Sequence, residues 1–277
     1  MAVAALFAAG CKQGNQEPAK ADTIQENSCK VIAPSGTEAG MVFCICDKEN
    51  SMPADLFKGS ADDALLAKLM PKGESKSSIN VFLVYNGNKP ILVDAGLGEE
   101  KGGMMMSGLK EMNVKPEDIE AILLTHLHTD HIGGLLKNGQ PVFPRATLYL
   151  SVDEFNAWAD DGAFGSQNEQ WKAVLASYSD RIQPFMDGDT LLDGFAIAHL
   201  APGHTPGHTV YSIGNYLMVG DLLHAQDLQL EHPEFCARYD NDQEQARATR
   251  VQWLEYLAEN PQIYLCGAHC YDGFVRK

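Results

Sequence analysis

The chain has 277 residues, 45% of them hydrophobic and 8% aromatic, which is enough apolar surface for one large core, and none of its apolar runs reaches transmembrane length. Twenty-one basic residues against 37 acidic ones leave a net charge of -16. Such a surface repels phosphate backbones instead of steering them inward, which argues against a nucleic-acid substrate.

Met1 to Gly10 is short and apolar, ends in Ala8-Ala9-Gly10-Cys11, and is followed by a polar stretch, Lys12 to Asn27, without hydrophobic periodicity. This resembles a bacterial lipoprotein signal with Cys11 as the lipidated residue. Residues 1–28 are therefore expected to be signal and tether, with the protein exported to the periplasm or cell envelope and held to the membrane by lipid; a cytoplasmic protein is the alternative. Residues 29–277 form a single folded domain, with no internal repeat or linker. If Cys11 carries lipid, six of the seven cysteines remain, an even number compatible with disulfides. Their connectivity is not readable, and buried free thiols account for several of them.

Ser78 to Tyr85 and Lys89 to Asp94 read as strands joined at Asn86-Gly87-Asn88, a strong hairpin signal. The second closes on Asp94-Ala95-Gly96. After Gly102-Gly103, Met104 to Met112 reads as a short helix. The apolar run Ala121 to Leu124 then delivers Thr125-His126-Leu127-His128-Thr129-Asp130-His131-Ile132-Gly133-Gly134. On an extended chain His126 and His128 share a face, while the following turn swings Asp130 and His131 toward a second locus. Three imidazoles and a carboxylate in six positions suit a borderline divalent ion, zinc first, with iron, manganese or cobalt on the same donors.

Val142 to Leu150 reads as a further strand. Ser151 and Glu154 form a capping box for a helix to about Ala159, and Asn168 to Tyr178 is a second helix of the same insert. If they face the site, Phe155, Trp158, Phe164 and Trp171, with Met104, Met105 and Met106, make an apolar wall for acyl or aryl groups; ordinary helix packing is the alternative. The run Phe195 to Leu200 leads into Ala201-Pro202-Gly203-His204, a tight loop able to hold an imidazole at a strand end. Tyr216 to Gly220 ends in Asp221, with His224 three residues on. Asp242 and Gln245 start a long helix to Ala258 with Ala248, Val251, Leu254, Tyr256 and Leu257 on or beside one face. Ile263 to Gly267 ends near His269. Several apolar runs thus terminate in a metal-type donor, as a site along one edge of packed sheets requires.

The order His-x-His-x-Asp-His, Pro-Gly-His, Gly-Asp and Gly-x-His resembles the metallo-β-lactamase-fold hydrolases from about Cys29 onward. The resemblance implies an α/β (α+β) four-layer αβ/βα sandwich with one catalytic domain. It implies two divalent ions: His126, His128 and His204 on the first, Asp130, His131 and His269 on the second, and Asp221 bridging. Asp94 would orient a ligand histidine through its free ring nitrogen.

Within the family, Asp221 points away from the β-lactam-cleaving enzymes, which in general place Cys or Ser there. Glyoxalase II enzymes need an additional C-terminal helical domain for glutathione, and only eight residues follow His269 here, which weakens the expectation of that activity. Gly220 to His224, with Glu231 to Glu234, Tyr239 to Asp242 and Ala246 to Arg250, is most similar to the methyl parathion hydrolase-like group. The N-acyl homoserine lactone lactonases are next, although many of them carry Tyr where this chain has His224. The implied activity is hydrolysis of a small neutral or apolar lactone, ester or phosphotriester by a hydroxide bridging the ions. Asp130 would accept the nucleophile's proton and His224 would aid the leaving group, unless it only hydrogen-bonds Asp221. Alternatives are a β-lactam or thioester hydrolase, a persulfide dioxygenase with one iron, and a non-catalytic metal-binding lipoprotein. The oligomeric state stays open, a homodimer included.

Overall fold

The computed structural model describes residues 29–33, 42–159, 161–165 and 168–276; the signal read at Cys11 lies outside them. Period-two alternation of apolar residues builds two sheets. β1 (Lys30–Ile32), β2 (Val42–Pro53), β3 (Glu74–Asn86), β4 (Lys89–Val93) and β5 (Ala121–Leu123) open the first. A ribbon of β6 (Leu136–Lys137) and β7 (Gln140–Pro141) intervenes before β8 (Thr147–Ser151) and β9 (Ile182–Phe185) complete it in the order β1-β2-β3-β4-β5-β8-β9. The second sheet runs in chain order through β10 (Thr190–Leu191), β11 (Ala196–Leu200), β12 (Thr209–Ile213), β13 (Tyr216–Gly220), β14 (Tyr264–Gly267) and β15 (Phe274–Val275).

One side of each strand faces the other sheet. Val42, Cys44, Phe82, Val84, Ile91 and Val93 meet Ala198, Tyr211, Tyr216 and Met218 in the central core. The alternate residues point outward under helices. Ile45, Val81, Leu83 and Leu92 pack with Leu109 of α2 and Trp171, Val174 and Tyr178 of α5, while Val210, Leu217, Val219 and Leu265 pack with Leu254 and Leu257 of α7. In chain order these helices are α1 (Asp63–Leu69), α2 (Met105–Glu111), α3 (Thr129–Ile132), α4 (Val152–Ala157), α5 (Glu169–Tyr178), α6 (Gln226–Glu231) and α7 (Gln243–Glu259). Helix, sheet, sheet, helix is the four-layer sandwich expected.

Strand direction places the site. β4, β5 and β8 run parallel, as do β13 and β14, and β11 reaches the same direction through its antiparallel neighbour β12. The loops after β4, β5, β11, β13 and β14 therefore leave from C-terminal strand ends, and these are the loops that carry Asp94, the His126 to His131 run, His204, Asp221 and His269.

Several local expectations change. The strand read over Val142 to Leu150 begins only at Thr147. Pro141 and Pro144 cannot donate to a ladder, and the chain turns there, with Ala146 N–H bonded to Phe143 O at 3.2 Å. On α7 the buried stripe is Ala246, Thr249, Arg250, Leu254 and Leu257, whereas Ala248 and Tyr256 are exposed. Polar Thr249 and Arg250 disguised that face, because their partners lie elsewhere in the chain. Cys29, Cys44, Cys46, Cys236, Cys266 and Cys270 are buried free thiols, with no disulfide among the described residues. Trp171 and Met105 are core and Phe155 and Met104 pack against it, and none of these four lines the cavity over the candidate donors.

Tyr178 fixes α5 to the sandwich: its buried hydroxyl donates to Leu135 O at 3.0 Å and accepts from Phe143 N–H at 3.2 Å. Tyr178→Phe would leave both groups unpaired. We expect it to reduce the unfolding free energy by about 1–3 kcal/mol, measured by urea denaturation.

Candidate metal centre

β5 leads through Leu124 into Thr125, whose hydroxyl donates to Asp94 Oδ2 at 2.8 Å and lies 3.1 Å from His126 Nδ1. A hydroxyl that donates to a carboxylate can accept from a ring N–H, so His126 carries its proton on Nδ1 and turns the Nε2 lone pair inward. The same outward tie recurs on three other imidazoles. His131 Nδ1 meets Asp94 Oδ2 at 2.7 Å, His204 Nδ1 meets Asp240 Oδ1 at 3.1 Å, and His269 Nδ1 meets Ser78 O at 2.7 Å. Each acceptor fixes a tautomer that leaves Nε2 facing the centre. His128, at the start of α3, instead presents Nδ1.

The inward nitrogens form two groups. His126 Nε2, His128 Nδ1 and His204 Nε2 lie 2.9–3.2 Å from one another, close to the spacing of about 3.3 Å that ligands take around a tetrahedral zinc ion. Asp130, His131 and His269 form the second group. Asp221 stands between them: Oδ1 is 3.0 Å from His131 Nε2, and Oδ2 is 3.2 Å from both His204 Nε2 and His269 Nε2. His131 Nε2 and Asp221 Oδ1 are buried without a hydrogen-bond partner among the described residues. Orphaned polar atoms of this kind, in a pocket rich in carboxylates, fit divalent cations.

The electrostatics point the same way. Burial opposes the charge of Asp221, but His269, His131 and His204 hold it well below the usual carboxylate range. Burial likewise opposes protonation of His204, yet Asp221 and Asp240 lift its pKa to about 9. Burial, with the charge of His204 behind it, pushes His128 down to about 3. The imidazoles nearest the carboxylates thus hold protons that a bound ion would displace.

Supports that spacing along the chain does not disclose surround these donors. Asp94 adopts a left-handed backbone, φ 62°, and besides His131 it accepts Thr125 N–H at 2.8 Å. Asp240 is held to Arg250, a buried guanidinium that also donates to Leu222 O, Pro233 O and Phe235 O. The second Pro-Gly-His, at His208, holds no donor position: its Nδ1 bonds Ala201 O at 3.1 Å and its Nε2 accepts Asp221 N–H at 3.0 Å. Burial pushes His208 down to about 3, which keeps it neutral for this task. Gly220, φ 49°, is required here, since a Cβ would stand 2.6 Å from His208 Nε2.

A cavity of about 670 Å³ opens over the donors. His128, Asp130, His204, Asp221 and His269 line its floor; Met52, Ile79, Leu97, Trp158 and Phe164 are apolar wall; Asn50, Arg238, Tyr239 and Asn241 ring the mouth. Trp158 and Phe164 meet His128 edge-on, with ring centroids 5.6 and 6.3 Å away. His224 does not line this cavity. It is fully buried behind Asp221, Nε2 at 3.5 Å from Oδ2, and the ring nearest it toward solvent is the half-exposed Tyr239 at 5.9 Å. Its ring lies beside those of His204 and His269, with centroids 5.0 and 5.6 Å away, and neither of its ring nitrogens has a hydrogen-bond partner among the described residues.

A helix–sheet–sheet–helix sandwich with paired His and Asp groups at its strand ends defines a metallohydrolase-type protein. The chain belongs to the metallo-beta-lactamase superfamily, whose domain matches residues 76–260. The hydrolase AbOPH of that superfamily superposes with a TM-score of 0.78 at 30% identity, over 87% of this chain and 91% of that one. AidC, a dizinc quorum-quenching lactonase, superposes at 0.74 with 26% identity, over 90% and 92%. Over 129 residues the chain is 51% identical to the exodeoxyribonuclease WalJ of Streptococcus pneumoniae, 45% of this chain and 43% of that protein. Over 192 residues it is 30% identical to the hydroxyacylglutathione hydrolase of Edwardsiella ictaluri, 69% and 61%. The chain spans about half the length of the curated relatives it matches.

Asp240→Asn keeps the shape of the His204 support and removes its charge. We expect a loss of divalent-metal affinity of about 10–100-fold, measured by competition between apoprotein and a chromophoric chelator for zinc.

Proposed function

We propose that this protein is a dinuclear metal-dependent hydrolase of small neutral lactones, aryl esters or phosphotriesters. The position of Asp221 carries the reading: one carboxylate touches both imidazole groups, as a ligand shared by two ions must. The likeness to AidC and AbOPH supports it, and zinc is the metal we favour. His126, His128 and His204 would hold one ion, Asp130, His131 and His269 the other. Ions so held supply Lewis acidity and acidify water near neutral pH.

The chain's own residues divide the remaining work. Burial would raise the pKa of Asp130, but His131 and His269 keep it below the usual range, and its side chain, a quarter exposed on the floor, can take a proton from an attacking water. Trp158 and Phe164 hold an apolar acyl or aryl group beside the floor and exclude water from it. Tyr239 and Asn241 at the mouth can hydrogen-bond the substrate's polar end. His224, desolvated and 3.5 Å from Asp221, acts by positioning that carboxylate. The nuclease likeness covers under half of each chain, and a net charge of -16 with Arg238 as the sole Lys or Arg lining the cavity among the described residues disfavours a polyanion.

Elemental analysis of reconstituted protein should give two divalent ions per chain, and Asp221→Ala should weaken both. One ion in the fully loaded wild type would sink the dinuclear reading. On a panel of lactones, p-nitrophenyl esters, phosphotriesters and single-stranded DNA, the small esters should be turned over and the DNA left intact; the reverse pattern overturns the substrate class. Trp158→Ala should raise KM for aryl substrates by about tenfold, from lost apolar burial.

A further inference from the structure

Glu154 is fully buried, in the first turn of α4, and its side chain does not close the capping box its spacing suggests. Ser151 Oγ accepts Glu154 N–H at 3.0 Å, as a cap should, but the carboxylate turns the other way. Oε1 accepts Leu127 N–H at 3.0 Å and Trp158 Nε1–H at 2.7 Å. Oε2 accepts Thr205 Oγ1–H at 2.6 Å and Gly207 N–H at 3.1 Å. Leu127 lies between His126 and His128, Thr205 follows His204, and Trp158 is the wall that meets His128. The Glu154 carboxylate thus hydrogen-bonds both loops that supply the three-imidazole group.

We infer that Glu154 is a positioning residue: its carboxylate sets the distance between the His126/His128 loop and the His204 loop, and so tunes how tightly their three ring nitrogens hold an ion, while fixing the aromatic wall to the same point. The packing around it is consistent with a rigid clamp. Ser151 Oγ donates to Gly207 O at 2.7 Å, and a Cβ on Gly207 would stand 2.0 Å from Glu154 N, so the His204 loop is pressed against the start of α4. Burial drives the Glu154 carboxyl up, and four donors oppose that, as they would for a charge kept for structural use. The inference rests on the proposed ligand set, in that the clamped loops must bear ligands.

Glu154→Gln gives a directional test, because the two oxygens have different neighbours. Leu127 N–H and Trp158 Nε1–H can only donate, so the amide oxygen must take that side. The amide NH2 then faces Thr205, whose hydroxyl can rotate to accept, and Gly207 N–H, which cannot. The substitution should therefore free the His204 loop and leave the His126/His128 loop and Trp158 in place. Apoprotein is titrated with Co2+, following visible absorption and bound metal per chain, with zinc competition for affinity. Glu154→Gln should weaken one of the two ions about 10–100-fold and alter its Co2+ bands, with the other ion unchanged. Thr205→Val, which removes one donor, should weaken the same ion to a lesser extent and decides the matter if the Gln variant does not fold. Trp158→Phe should leave both affinities as they are.

Wild-type affinities and Co2+ spectra in Thr205→Val and in folded Glu154→Gln, even with a lower melting temperature, would overturn the clamp and leave Glu154 a fold residue. Wild-type protein that binds no ion through His126, His128 and His204 would overturn the ligand assignment itself, and the clamp with it.

Discussion

An imidazole can serve a metal only if one ring nitrogen is stripped of its proton and aimed, and in this protein that condition is met by tying down the opposite nitrogen. Four of the five inward-facing histidines have such a tie, to Thr125, Asp94, Asp240 and the Ser78 carbonyl. These anchors come from the ends of β5 and β4, the loop before α7, and β3. The site is thus held by the sandwich as a whole, and its geometry cannot form before the two sheets have packed.

That arrangement has an energetic cost, which shows in the residues that support it. Asp94, Asp221, Asp240 and Glu154 are all buried, and among the described residues Arg250 is the one buried guanidinium set against them. Burying carboxylates without countercharge is costly by several kcal/mol each. Asp240 and Arg250 neutralise each other at 3.0 Å, and Glu154 is offset by four donors. Asp221 and Asp130 are left facing imidazoles, and divalent ions would complete that balance. The left-handed backbone at Asp94 adds strain of about 1–3 kcal/mol, tolerated because its carboxylate serves Thr125 and His131 together.

The chain is similar to proteins as different as a dizinc lactonase, a hydroxyacylglutathione hydrolase and an exodeoxyribonuclease. Above the donors, the cavity of this chain is walled by other segments. The α4 region lays Trp158 and Phe164 across one side, and the segment after α6 brings Arg238, Tyr239 and Asn241 to the mouth. Both segments lie between the loops that carry the candidate donors, so the walls can vary while strand ends keep those donors in register.

The candidate donors stand out in the sequence because the loops that carry them follow apolar strands. Local spacing is enough to put His126 and His128 on one face, and a Gly before Asp221 marks close approach. Individual strands and helices were legible because period-two and helical patterns are local properties, whereas the order of the layers came from the family resemblance. What the sequence could not decide was partnership across long separations. Which of two Pro-Gly-His triplets reaches the centre depends on β13, whose backbone claims His208 and leaves His204 to the donors. Glu154 reads as a helix cap because a cap needs only three residues of spacing, whereas its real partners lie 27 and more than 50 positions away. Phe155 and Trp158 are three residues apart, yet one packs on the core and the other walls the cavity, since α4 ends at Ala157 and the turn there redirects the chain. Asp240, Arg250 and the burial of His224 follow from how α6 and α7 dock on the second sheet. The candidate donors are thus written in the chain, and their aim in the packing, because a hydrogen bond to the far side of a ring requires two segments to meet.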